Sequence, residues 1–430
     1  MKELKSYFLT RWPQILCVLA GLYAVVVAAY IFIETGKPSG SRDFHQFWYA
    51  GHFVMQSHDP YAAFFAGDQP DVPVMYLDGV TINEHPVAQP DLPLVPSNTP
   101  TMILLLAPFS YFSWDLAKHM FLVINLILMA VTGWIVIRSI PFTGVKLPSV
   151  HELLLFLVYF DLSATRIAIE NGQTTLLVFL FMLLAILYGK KSWQISGLAL
   201  GMALSKYSLA LPVFVFFLYK KNFKLLLLAI LIQVLGVMVL AAITRTAPLT
   251  IAMENIRLFV EILSQSGVHM NIASLLTTWT ANPLLAQIPV IILTLLVFVL
   301  YFLWQRERKP EASATDDVMD FHLLTILFTW TILAGYHRIY DTLILIFFIV
   351  LVFKGLAYPN LWKLNPHEKM LLIAFMGTFP LIMILPARII DQIYSRYYGP
   401  LSNGITSSFF VIMLVFSMFL MWKYLRARRN

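Results

Sequence analysis

The sequence predicts an all-α polytopic membrane protein of about twelve spans, and three observations carry that reading. Hydrophobic residues make up 59% of the 430 and charged residues 12%, with a mean hydropathy of +0.76. Soluble chains carry roughly 25% charged residues, so this chain has too little polar surface for a water-facing exterior. Apolar runs recur from end to end, many near the ~20 residues a helix needs to cross the hydrocarbon core. Basic residues fall in short clusters between those runs, which is how orientation in a bilayer is encoded. The net charge of +7 is thus a topological signal, not a surface for nucleic acid. A single cysteine, Cys17, leaves no internal disulfide to form.

The first run, Ile15 to Ile33, follows Lys2, Lys5 and Arg11. It is too long for a signal-peptide core, and Glu34-Thr35-Gly36-Lys37 is a poor cleavage site, so it is expected to be a retained span. Candidate spans lie at about 13–33, 115–138, 150–165, 172–188, 192–206, 208–220, 222–243, 284–304, 320–336, 338–354, 368–386 and 404–422. Twelve crossings put Lys2/Lys5/Arg11, Lys190/Lys191, Lys220/Lys221/Lys224, Arg306/Arg308/Lys309, Lys354/Lys363 and Lys423/Arg426/Arg428/Arg429 on one side with both termini. By the positive-inside rule that side is cytoplasmic. The apolar segment 99–112 is short and contains Pro100 and Pro108. Counting it as a crossing would move Lys190/Lys191 outside, so it is expected to be re-entrant or interfacial. The whole chain, 1–430, then reads as one transmembrane domain in an inner or plasma membrane.

The loop 34–97 is the compositional outlier. It holds eight Asp and Glu against Lys37 and Arg42, together with eight prolines, which argues for an irregular ordered loop. Near its start Phe44, Phe47, Trp48, Gly51 and Met55 recur at helical spacing, with His45, Gln46 and His52 on the other side. That pattern predicts a short amphipathic helix lying in the interface.

Charged groups near membrane depth are costly and tend to be functional. On this topology the isolated ones share the non-cytoplasmic face: Asp43; Arg166, Glu170 and Gln173; Lys206; His269 and Asn271; His337, Arg338 and Asp341; and Arg388, Asp391 and Arg396. Each also has a plainer explanation. Asp43 can be a helix N-cap, Arg166 and Glu170 an i,i+4 ion pair, and Lys206 a snorkelling side chain. His337 can bond a carbonyl at a helix end, and Arg388 and Arg396 can belong to an interfacial tyrosine belt. No HExxH, GxSxG or phosphate-binding loop occurs. A placed carboxylate with several cations and histidines suits transfer of a group from a phosphate-activated donor. The cations hold the phosphate and the carboxylate takes a proton from a hydroxyl nucleophile.

At these residues the chain resembles glycosyltransferase family 87. Arg42-Asp43-Phe44, Tyr49-Ala50-Gly51 and Asp59-Pro60-Tyr61 are similar to the family's D-F…Y-x-A-G…P-Y pattern. Asn98-Thr99-Pro100…Ala107-Pro108 resembles its Y-P-P…P segment, with Asn98-Thr99 in place of the usual aromatic-Pro start. Gly172-Gln173-Thr174, Gly197…Gly201…Lys206 and Tyr336-His337-Arg338-Ile339-Tyr340-Asp341 resemble its remaining motifs, in order, without the proline that commonly follows the lysine. The resemblance implies a C-type glycosyltransferase fold with interfacial helices in the first external loop. It also implies metal-independent transfer without a cofactor from a polyprenyl-phosphate sugar, often mannose and sometimes arabinofuranose, to a glycan or glycolipid acceptor. The family's base falls on Asp43, with Lys206, His337 and Arg338 toward the donor phosphate. Arg166, Glu170, Gln173, His45 and Asn271 are expected to line the substrate pocket. A secondary transporter or a non-catalytic lipid-binding protein are the competing readings. A transporter would place its ionisable site near the bilayer midplane, and a scaffold would not need Asp43.

Overall fold

The computed structural model describes residues 2–66, 98–139, 147–265, 283–307, 313–335, 337–358, 360, 362–383 and 399–429. Among them there is no strand. In chain order the helices are α1 Lys2–Gly36, α2 Arg42–Met55, α3 Pro60–Ala66, α4 Pro100–Leu106, α5 Trp114–Trp134, α6 Ser149–Asp161 and α7 Ser163–Glu170. There follow α8 Thr175–Tyr188, α9 Trp193–Ala203, α10 Tyr207–Tyr219, α11 Phe223–Thr244 and α12 Pro248–Gln265. The last are α13 Pro283–Glu307, α14 Ser313–Ala334, α15 Ile346–Ala357, α16 Pro366–Met383 and α17 Gly399–Arg429. Short 3-10 turns occupy Ala107–Tyr111, Leu204–Lys206 and Ile339–Leu345.

Six helical stretches among the described residues are long and apolar enough to cross a membrane, or seven if α7 and α8, bent by 119° at their junction, form one broken span. The protein is therefore an integral membrane protein, and this count stops short of the twelve crossings the sequence suggests. Part of the difference comes from short helices, and the expected span 368–386 runs beyond the described residues. The expected span 150–165 breaks at Leu162, between α6 and α7. At 1.5 Å per residue, helices of 11 to 14 residues reach only about 16–21 Å of the ~30 Å core, and α8, α9 and α10 all fall in that range.

The chain folds as two compact units, one made of residues 1–28, 132–166 and 268–430, the other of 29–131 and 167–267. In the first unit α14 is buried from Val318 to Leu333, with Trp330 half-buried. Phe321 stacks on Phe347 at 5.2 Å between ring centroids, and Trp362 Nε1 donates to His322 Nε2 at 3.1 Å. Near the start of this unit's middle segment, Thr132 Oγ1 and Tyr159 Oη lie 3.0 Å apart. At the adjoining Gly133 a Cβ would come within 2.9 Å of the Tyr159 ring.

The second unit is built round a returning hairpin. Residues 193–219 look by length and apolarity like one continuous 27-residue span, but glycine contacts exclude that. A Cβ on Gly189, just before α9, would meet the Phe217 ring near the end of α10 at 2.7 Å. Along a straight helix those regions would stand about 36 Å apart. A Cβ on Gly197 would meet Leu225 and Leu228, and one on Gly201 would meet Ile232. So α9 and α11 start at the same end and run parallel, and α10 must come back. Lys190/Lys191 and Lys220/Lys221 consequently sit together at one end of the unit, with the Leu204–Lys206 turn at the other. Segment 99–112 begins at that turn: Thr99 Oγ1 donates to the Ser205 carbonyl, and Thr101 Oγ1 bonds Gln233 Oε1, whose Nε2 donates to the Gly201 carbonyl at 2.6 Å.

The helix expected in the interface, α2, differs from its amphipathic pattern. Every residue from Asp43 to Val54 is buried, including His45, Gln46 and His52 on the polar side. Aromatic rings cover that side. His45 lies between Trp48, Tyr49 and Trp114, and His52 meets the Trp48 ring edge-on at 4.4 Å.

Candidate active site

The site in the second unit is assembled on the first turn of α2. A helix start leaves backbone N–H groups without intrahelical acceptors, and here another part of the chain supplies one. The Asn171 carbonyl accepts from Asp43 N (2.8 Å) and Phe44 N (3.2 Å), and the Ser41 carbonyl accepts from Phe44 N and His45 N. Asp43 is therefore not the cap that its position allows. Its carboxylate instead accepts a hydrogen bond from Gln173 Nε2. The Asn171–Gln173 turn can approach this closely because Gly172 adopts φ +64°, and a Cβ there would stand 2.7 Å from Phe44 Cβ. Phe44 is fully buried, stacked on Phe121 at 4.1 Å and edge-on to Phe109 at 5.4 Å. The aromatic cluster anchors α2, the glycine turn docks on it, and the carboxylate is oriented as a result.

Two residues beyond Gln173, the first residue of α8 receives the second charged group. Half-buried Lys206, at the apex of the α9–α10 hairpin, donates from Nζ to Thr175 Oγ1 at 2.8 Å. Gln173 and Thr175 thus hold a carboxylate and an ammonium at one end of α8, the end that carries the positive pole of the helix dipole. Glu170, before the turn, accepts from Tyr30 Oη at 3.3 Å. The Asn98-Thr99 pair has its own work here. Asn98 O accepts from Tyr61 Oη (2.6 Å) and Asn255 Nδ2 (3.1 Å), Asn98 Nδ2 lies 3.5 Å from Gln46 Oε1, and Gln46 Nε2 donates to the Asp43 carbonyl at 2.8 Å.

The first unit contributes a separate arrangement. His337 is fully buried, its Nδ1 3.4 Å from Asp341 Oδ2, which also accepts from Arg338 N. With Nδ1 committed to that carboxylate, Nε2 is left buried with no hydrogen-bond partner among the described residues. A carboxylate–imidazole pair of this kind fixes the ring and its tautomer. Arg338 is exposed. Arg166, in the same unit, is buried and hydrogen-bonds the Tyr23 phenol. Asn271, His269, Arg388, Asp391 and Arg396 lie outside the described residues.

Within the second unit the structure thus joins Asp43, Gln173 and Lys206, with Glu170 just before their turn. His45 is packed among aromatic rings instead. Three groups were not singled out from the sequence: the Asn171 carbonyl, Thr175, and the inner face of α12, which carries Glu254 and Asn255. A backbone carbonyl leaves no mark in a sequence. Pro248 opening an amphipathic run is the signal that could have found α12.

The burial of α2 has a measurable consequence. Desolvation, with a smaller contribution from neighbouring His45, pushes His52 down from its ordinary 6.5 to about 4. A histidine held neutral by the fold binds a proton more readily when unfolded, so its contribution is complete above pH 6.5 and is lost as pH falls toward 4. That difference corresponds to roughly 3 kcal/mol at full protonation. Thermal unfolding in detergent should show a loss of stability between pH 6.5 and 4 that is smaller in His52→Phe.

A family model described as glycosyltransferase family 87 matches residues 97–334, more than half of the chain. Its span takes in the Asn98-Thr99, Gly172-Gln173 and Lys206 elements, and lies between Asp43 and the His337–Asp341 segment. No curated protein and no solved structure matches the chain. A family-wide match that covers the turn and the hairpin on which this site is built settles the kind of protein in hand: the chain belongs to glycosyltransferase family 87, membrane glycosyltransferases.

Proposed function

We propose that this protein transfers a hexose, mannose first among the choices, or arabinofuranose from a polyprenyl-phosphate donor to a hydroxyl of a glycan or glycolipid acceptor. The reaction takes place at the non-cytoplasmic face, the side opposite the lysine clusters. The observation that carries the reading is the pair Asp43–Gln173 and Lys206–Thr175 at one end of α8.

Asp43 acts as general base. The acceptor oxygen attacks the anomeric carbon as its proton passes to the Asp43 carboxylate. The bond from that carbon to the phosphate oxygen breaks, and polyprenyl phosphate leaves with the electron pair, so the configuration inverts. Lys206 stabilises the charge growing on the leaving phosphate. His337 and Arg338, in the first unit, are proposed as donor-phosphate residues, and Gln173 orients the base. Glu170, Arg166 and Asn271 are proposed for the sugar and acceptor. Neither a metal nor a cofactor is needed, because the cations are side chains.

The test is incorporation of label from a panel of polyprenyl-phosphate sugars into membrane extract by the purified protein. One donor should be used, and EDTA should leave the rate unchanged. Lys206→Met should lower kcat/KM by roughly 10²-fold, the scale for removing one charge-stabilising donor. Well-folded wild type that uses none of the donors would sink the proposal.

A further inference from the structure

The second unit brings two acidic side chains, Asp59 and Glu254, together. Asp59 is 7% exposed. Its Oδ1 caps α3, accepting from Tyr61 N (2.9 Å) and Ala62 N (3.4 Å). Its other oxygen, Oδ2, is buried with no hydrogen-bond donor among the described residues. Glu254, on the inner side of α12, presents a buried Oε2 in the same condition, and the two side chains are within hydrogen-bonding reach of each other. Two ionised carboxylates side by side repel, and a single proton between their buried oxygens removes the conflict.

We propose that Glu254 is a positioning residue for the transfer reaction: a proton shared with Asp59 latches α12 onto α3 and so holds the helix that carries the candidate base. The contact chain is continuous. Asp59 caps α3; Tyr61 of α3 and Asn255 of α12 both donate to the Asn98 carbonyl; the Asn98 amide meets Gln46; and Gln46 donates to the Asp43 carbonyl. Apolar packing follows the same path, with Ile251 and Leu258 of α12 buried against Tyr61, Val54 and Ala50. Among the described residues, the charged groups that face Glu254 are Asp59 and, on α12 itself, Arg257, whose guanidinium lies over the Phe65 ring at 4.1 Å. Burial first, then Asp59, push the Glu254 carboxyl up, and Arg257 offsets part of this. An acid whose pKa is raised in the fold contributes stability at low pH that is lost as pH rises through the folded value. The latch therefore opens on the alkaline side.

The inference rests on the transferase reading for its activity readout, and a second measurement keeps the two separable. Transfer rate against pH is compared in wild type, Glu254→Gln and Glu254→Leu, together with thermal unfolding of each in detergent. Wild type should lose rate and melting temperature as pH rises. Glu254→Gln keeps a permanent N–H donor for Asp59, so it should match wild type at low pH and hold both quantities to higher pH. Glu254→Leu, with no donor, should be impaired at every pH. A Glu254→Gln rate profile and melting curve that superimpose on wild type would overturn the latch. So would a calcium-dependent rise in wild-type melting temperature that Glu254→Gln lacks, because a cation would then replace the proton. If wild type uses no donor at all, the transferase reading has failed, and the pH dependence of melting still decides on the latch.

Discussion

Asp43→Asn is expected to abolish sugar transfer while the protein stays folded. The replacement has the same shape, and the amide oxygen still accepts from Gln173 Nε2, the bond that orients the native carboxylate. The cap of α2 is untouched, because the Asn171 and Ser41 carbonyls provide it. What is lost is the capacity to take a proton. General-base catalysis contributes about 10²–10⁴-fold, so the rate should fall by roughly 10³ with the donor KM little changed. The measurement is steady-state transfer beside thermal unfolding of the same preparations. A scaffold or a structural cap at Asp43 predicts the reverse pattern, with activity retained or melting lowered.

Gly172→Ala is expected to damage both stability and activity, through backbone geometry. A non-glycine residue at φ +64° carries roughly 1–2 kcal/mol of steric cost. The new methyl would also stand 2.7 Å from Phe44 Cβ and 3.1 Å from Ser41 Cβ. Neither atom is the movable end of a long side chain, and Phe44 is held by rings on several sides. Crowding of this kind adds about 1–3 kcal/mol. The turn must back away from α2, taking the Asn171 carbonyl off the helix start and Gln173 off Asp43. Gly172→Asn separates the two effects, since asparagine tolerates the left-handed region but still needs the space. It should lose nearly as much activity as the alanine variant. Activity equal to wild type in Gly172→Ala would show that the turn does not need this approach.

How far the chain could be read from its sequence depends on the distance over which each feature is encoded. Composition and the spacing of apolar runs are local and additive, so membrane character and an all-helical fold were legible directly. The charge clusters determined less than they suggested. A crossing count read from basic residues is defined only up to an even number: two full crossings between Lys190/Lys191 and Lys220/Lys221 leave both clusters on one side, and so does a hairpin that turns back part-way. The α9–α10 segment, with arms of 11 and 13 residues, returns to the end it starts from, and the lysine clusters stay together in either case. The same limit applied to α2. Its apolar stripe was visible at helical spacing, but whether His45, Gln46 and His52 would face water depended on Trp114 and other residues far along the chain.

The sequence by itself determined a membrane-embedded helical protein, its sparse set of isolated charged residues and the order of its short motifs. Hydropathy, charge spacing and glycine or proline placement are properties of the chain alone. The tertiary structure decided what those residues do to one another. It made Asp43 a partner of Gln173 and not a cap, put Lys206 on Thr175 at the same helix end, and gave Asn98 a carbonyl that two helices share. Those relations run through backbone carbonyls and contacts between residues up to 157 positions apart. Such contacts depend on how helices pack in three dimensions, which no local pattern of residues records.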